Sequence, residues 1–208
     1  MVALADHEWA AGGHAIATAL YHRAAADGDR QALKRLVNLP GVWTDLDARE
    51  AVYRKVAAAG AVQALAPLAA LRAKQGDFAE ARSLYRKAVE SGDVGALLSH
   101  AAFLRAQGEI DRAIEHHRQL VGSDDRNAMA ILGALLLIAP NGLDEAEAVL
   151  RQGAAASENR CRCLLALMLL DQGAVEEATD LLRLVAIVGD DLVRAYADEL
   201  ADEFDLQP

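Results

Sequence analysis

The sequence predicts an all-α protein built as an array of helical hairpins, and three observations carry that prediction. Tyr21, Tyr53 and Tyr85 recur every 32 residues, each inside a similar stretch such as "AVYRKVAAAGA" at 51–61 and "ARSLYRKAVESGD" at 81–93. Ala81, Ala113, Ala146 and Ala178 step by 32, 33 and 32, and each stands five residues after Gly76, Gly108, Asn141 or Gly173. The composition is 53% hydrophobic but only 4% aromatic, rich in the alanine and leucine that helices favour over strands. A fixed period of this length marks a chain in which each unit is one supersecondary element that cannot bury its apolar face alone.

Each unit reads as two amphipathic helices. In 94–107 the apolar residues Val94, Leu97, Leu98, Ala101, Ala102 and Leu104 fall at helical spacing. Gly108 closes that helix, and "EIDRAIEHHRQL" forms the second. Gly-Asp pairs at 28–29, 92–93 and 189–190 punctuate the units, the glycine ending one helix in the left-handed conformation and the aspartate capping the next. Asp77 and Ser157 are further candidate N-caps, and Asn141 takes a glycine place. The predicted organisation is one array over 1–208, with N-terminal helices in 1–29, hairpins at 30–61, 62–93, 94–126, 127–158 and 159–190, and an acidic capping helix and tail in 191–208. Two places break the pattern. Pro40-Gly41 ends the first helix of 30–61 early, with Thr44 and Asp47 spaced as a capping box. Pro67 stands several residues into a helix begun at 62, so that helix starts later or kinks.

Charge and composition exclude several classes. A net charge of −10 argues against binding nucleic acid, which needs a clustered basic surface. "AMAILGALLLIAP" at 128–140 is shorter than the roughly 20 residues of a membrane span. "MVALADHEWA" lacks the basic and apolar regions of a secretory leader, and Cys161 and Cys163, two apart on a helix, diverge too far to bridge. Both fit a cytoplasmic setting.

The unit "VQALAPLAALRAKQGDFAEARSLYRKAVESGD" (62–93) resembles the tetratricopeptide repeat family, through Leu65, Leu68, Ala69, Gly76, Phe78, Ala81, Tyr85 and Ala88. Later units match at Leu97, Ala101, Gly108 and Ala113, at Ala134 and Ala146, and at Leu165, Ala166, Gly173 and Ala178. The period departs from that family's usual 34, and Gly-Asp replaces the proline that commonly closes a unit; Sel1-like arrays are a neighbouring reading with longer units. The resemblance implies a right-handed superhelix of about five to six hairpins. It also implies a concave groove lined by the first helix of each hairpin and filled by a peptide or partner helix.

In that family the groove places are the fifth, ninth and twelfth of each unit. Here they are Ala66, Ala70 and Ala73; Leu98, Ala102 and Arg105; Ile131, Leu135 and Ile138; Cys163, Leu167 and Leu170. With Arg105 the one basic residue, a carboxylate clamp is not expected. The C-terminal half of the groove is apolar, suited to an amphipathic helix, unless the array curls tightly or its own terminal helix covers the patch.

No phosphate loop, HExxH helix or nucleophile elbow is present in the sequence. His100 and His117 fall in one hairpin and are expected to approach each other as a structural pair. His7, His14 and His22 lie near helical-turn spacings but span a Gly12-Gly13 break, a weak metal signal. Cys163 has no basic neighbour to activate it. The tail "DELADEFDLQP" keeps the terminal helix polar, a cap with a second reading as a docking site for a basic partner. The expectation is a non-catalytic interaction module without cofactor or metal, with a protein or peptide partner and a homodimer as one option. The alternatives are a peptide-sensing domain of a larger bacterial regulator and a self-associating scaffold.

Overall fold

In the computed structural model, residues 1–39, 45–121, 127–204 and 206 are described. Among them the regular secondary structure is helical throughout. The helices are α1 (Val2–Ala10), α2 (His14–Ala26), α3 (Arg30–Val37), α4 (Leu46–Ala58), α5 (Leu65–Lys74), α6 (Phe78–Glu90), α7 (Val94–Ala106), α8 (Ile110–Leu120), α9 (Ala128–Ile138), α10 (Leu143–Ala155), α11 (Asn159–Asp171), α12 (Val175–Val188) and α13 (Asp191–Glu203). The fold class is all-α, a succession of helical hairpins of the kind that build α-α superhelices. The contacts group into two compact units, Met1–Ser91 and Gly92–Pro208, divided at one of the Gly-Asp pairs.

The punctuation follows from local chemistry. Asp29, Asp77, Asp93 and Asp190 accept backbone N–H bonds from Ala32, Glu80, Gly95 and Leu192, each satisfying amides that a helix start leaves open. Gly28, Gly76, Gly92, Gly108 and Gly173 take positive φ, and Asn141 stands in for glycine at φ 59. Two expectations are corrected. Ser157 is not the cap of α11: it takes the left-handed place at φ 65, and Glu158 caps instead, accepting from the Arg160 N–H. Gly189 does not end α12 in the left-handed region, since its φ is −71. A side chain there would bring Cβ within 2.6 Å of the Val185 carbonyl, so close approach explains this glycine. The cap of α4 is Asp45, which accepts from Asp47 and Ala48 N–H. Pro40, Gly41 and Thr44, expected to end one helix and box the next, lie outside the described residues. Pro67 falls in the first turn of α5, after a single 3-10 turn at Val62–Ala64. The helix thus starts late, where a missing N–H costs least.

In the N-terminal unit, α1 pairs with α2 and α5 with α6, and α2 packs on α3. Alanines dominate the core: Ala5, Ala17, Ala25, Ala32 and Ala64 are fully buried beside Tyr21, Leu36, Tyr53 and Val56. Small side chains let these helices close up, and polar links then tie them. Asp6 accepts from the Tyr21 hydroxyl at 2.6 Å and pairs with Arg35 at 3.2 Å, joining α1, α2 and α3. Buried Gln63 donates to the Ala25 carbonyl at 3.1 Å.

The C-terminal unit is built differently. The first helices α7, α9 and α11 pack on one another, and α13 packs on α11, on α12 and also on α7. The inner helices therefore close upon themselves, around Leu132, Leu135, Leu136, Leu164 and Leu165. Two glycines permit the second helix α10 to seat closely. A Cβ at Gly133 would collide with the Leu150 side chain, and one at Gly153 with Cys161.

Candidate functional site

The nine residues expected to line the C-terminal groove divide by exposure. Leu135, Cys163 and Leu170 are buried at 2%, 0% and 6%. Leu98, Ile131, Ile138 and Leu167 are half-buried, and Ala102 and Arg105 are exposed. In the N-terminal unit Ala66 is buried, with Ala70 and Ala73 half-buried. The physical reason is the closure of α7, α9, α11 and α13. The Cys163 thiol lies 3.9 Å from the Val193 carbonyl, so the terminal helix covers that part of the inner face. Leu135, Cys163 and Leu170 are thus covered, whereas Leu98, Ile131, Ile138 and Leu167 keep partial exposure. Arg105 reaches across to the end of α9, its guanidinium donating to the Ile138 carbonyl at 3.2 Å. That carbonyl sits at a helix C-terminus, where a cation is favourable.

The candidate chemical residues sit as packing groups. Burial pushes the Cys161 and Cys163 thiols up to about 12, with carboxylates nearby adding to the shift. The ring of His100 stacks on Phe103 with centroids 6.5 Å apart, and that of His117 lies edge-on to His116 at 5.2 Å. The His14 ring lies 4.3 Å from that of Trp9. Burial, then the Lys55 charge, lowers the His22 pKa, which favours the neutral imidazole. Among the described residues no three histidine, cysteine or carboxylate side chains group as a metal would require. A polar recess lined by Asp6, Trp9, Tyr21, Arg35, Asn38 and Leu39 lies in the N-terminal unit. Burial, followed by the bond to Asp6, raises the Tyr21 pKa, so its hydroxyl stays protonated as that carboxylate's donor.

The second helices carry a further repeated feature. Arg54, Arg118 and Arg151 each pair twice: with a carboxylate on their own helix, and with a glutamate of the next second helix. Arg54 binds Glu50 at 2.7 Å and Glu80 at 3.1 Å. Arg118 binds Glu115 at 3.1 Å and Glu145 at 3.0 Å. Arg151 binds Glu147 at 2.8 Å and also Glu177. These bonds raise the pKa of Arg151, and the bond to Arg151 holds the Glu177 carboxyl below its usual range. The signal was in the sequence. Arg54, Arg86, Arg118, Arg151 and Arg183 keep the same 32–33 residue period, and Glu80, Glu145 and Glu177 are each the third residue of their helix. It lies on the exposed outer face of the second helices, where the apolar periodicity carries no signal.

A protein of paired helices, with apolar first helices within and charge rungs between successive second helices, belongs to the class of helical-hairpin repeat arrays. No family model matches the chain, and no curated protein matches it. Three solved structures are similar to it. The structure of yeast Tom70 is 15% identical with a TM-score of 0.43, covering 92% of this chain and 43% of its own length. That of YrrB, "a TPR protein with an unusual peptide-binding site", is 17% identical with a TM-score of 0.37, covering 83% of this chain and 93% of its own. A Sel1 repeat protein from Oxalobacter formigenes is 20% identical with a TM-score of 0.42, covering 100% of this chain and 94% of its own. The chain thus spans under half the length of the Tom70 structure it matches. Among the described residues, no helix is long and apolar enough to cross a membrane.

Proposed function

We propose that this chain is a non-catalytic protein-interaction module that holds a peptide or partner helix against the first helices of its C-terminal unit. One observation carries the reading. Leu98, Ile131, Ile138 and Leu167 stand half-exposed on α7, α9 and α11, three helices that pack side by side. Leu135, Cys163 and Leu170 of α9 and α11 are buried, and exposed Ala102 and Arg105 stand at equivalent repeat places on α7. A partly exposed set of apolar residues on adjacent helices suits the apolar side of an amphipathic helix. Arg105 supplies a polar group to orient it.

The test uses three variants of the full chain, Ala102→Glu, Leu167→Asp and Leu135→Asp, with circular dichroism and affinity capture read by mass spectrometry. Ala102→Glu and Leu167→Asp are expected to keep the helical signal and lose the polypeptides that the unaltered chain captures. Leu135→Asp is expected to unfold, since a carboxylate would be buried without a partner. Retention of the same captured set by folded Ala102→Glu and Leu167→Asp protein would reject the reading.

A further inference from the structure

We propose that the recess between α1, α2 and α3 binds a free α-amino acid with an apolar side chain, its ammonium group at Asp6 and its carboxylate at Arg35 and Asn38. The recess lies in the N-terminal unit, whereas the face proposed above lies in the C-terminal one. The repeat shows what the fold itself asks for at these places. In step with Asp6 stand Ala70, Ala102, Leu135 and Leu167, and in step with Arg35 stand Pro67, Ser99, Leu132 and Leu164. Of these, Leu132, Leu135 and Leu164 are buried packing residues. Successive hairpins therefore join without a charge at either place. An ion pair where the array elsewhere packs small or apolar side chains breaks the fold's own pattern, and such breaks gather at functional sites.

The polar groups are held in place and keep capacity for a ligand. Asp6 Oδ1 accepts from the Tyr21 hydroxyl at 2.6 Å and pairs with the Arg35 Nε at 3.2 Å, whereas Oδ2 has a terminal Arg35 nitrogen at 3.5 Å. A carboxylate accepts at several lone-pair sites, so Oδ2 can take an ammonium while Tyr21 keeps its bond. Buried Tyr21 thereby fixes the acceptor. The Arg35 guanidinium turns one edge to Asp6 and retains donors for a second carboxylate, with its side chain 58% exposed. Exposed Asn38, at the end of α3, adds a carboxamide able to donate to the same group.

Size and charge select the occupant. The recess measures about 190 Å³, below the roughly 300–1,000 Å³ of pockets that take drug-sized molecules. A nucleotide is too large for it, and a single amino acid is not. Trp9 and Leu39 give the recess an apolar wall for the side chain. A ligand with a net positive charge would meet Arg35, and one with a net negative charge would meet Asp6. A zwitterion satisfies both at once. The carboxyl end of a peptide supplies the carboxylate alone and leaves Asp6 without its cation.

The test is calorimetric titration of the full chain with L-leucine, L-methionine and L-phenylalanine, with circular dichroism on every variant. Saturable binding of at least one is expected, weakened about 10-fold or more by Arg35→Gln and by Asn38→Asp. Changing the ligand gives the same test on the unaltered chain. The N-acetyl form lacks the ammonium and the amide form lacks the carboxylate, and each is expected to bind about 10-fold or more weakly than its parent. Absence of saturable binding by all three amino acids, or binding indifferent to Arg35→Gln in folded protein, overturns the proposal. An N-acetyl form that binds as tightly as its parent also overturns it, because the recess would then take the carboxyl end of a peptide.

Discussion

The second helices α10 and α12 carry the same inner face and opposite outer faces. Inward, Leu150 and Leu182 hold one repeat place, with Ala146 and Ala178 at another, and all four are buried. Outward, Gln152, Ala155 and Ala156 at α10 become Leu184, Ile187 and Val188 on α12. The rung arginines differ in step: Arg151 is clasped by Glu147 and Glu177, whereas Arg183 has Asp180. The difference separates what the repeat uses to fold from what one copy of it presents. Residues common to both helices are packing, and residues that change between them are candidates for recognition.

The largest expected effect tests the shared half of that comparison. Leu150→Ala and Leu182→Ala should each cost about 3 kcal/mol in urea unfolding, because both leave a cavity in a closed core. A loss at Leu150 with none at Leu182 would mean that the last hairpin is not packed like the one before it. Next come the rungs. Arg151→Ala should cost up to about 1 kcal/mol, and Arg183→Ala less, both shrinking as salt is raised. Equal costs would show that the cross-helix glutamate adds nothing.

The same rung gives a pH dependence. The hydrogen bond from Arg151 lowers the Glu177 pKa from its ordinary 4.5. A depressed carboxylate stabilises the fold above its unfolded value, so that contribution is intact above about pH 4.5 and is lost as pH falls through the native value. Glu50, bonded by Arg54 and Gln75, is lowered likewise and acts in the same direction. Thermal melts between pH 6 and 3 should fall less steeply for Glu177→Gln than for the unaltered chain; identical slopes would remove the rung from the account. The smallest effect on folding is expected outside. Ile187→Ser and Ala155→Ser should both stay within about 0.5 kcal/mol of the parent. A large loss at Ile187 would make it a packing residue and dissolve the contrast between the two outer faces.

Much of the helical order was legible in the sequence because it repeats. The Gly-Asp pairs predicted caps at Asp29, Asp93 and Asp190, and the spacing around Asn141 predicted a residue doing a glycine's work at φ 59. Ser157 and Glu158 could not be ordered from sequence, since either serves as a cap until the backbone conformation is known. At Gly189 the sequence pointed to turn geometry where crowding against Val185 was the cause. The inner face was harder to foresee, because one repeat fixes which residues face inward but not how tightly successive first helices curl. Contact between α7 and α13 is a property of several repeats together, as is the packing of α13 on α11 that covers Cys163.

Hydrogen exchange of the full chain with and without a polypeptide that it captures tests most directly whether the first helices of the C-terminal unit hold a partner. Slowed exchange centred on α7, α9 and α11 is expected, with α10 unchanged. Protection that leaves α7, α9 and α11 unaffected would contradict that reading.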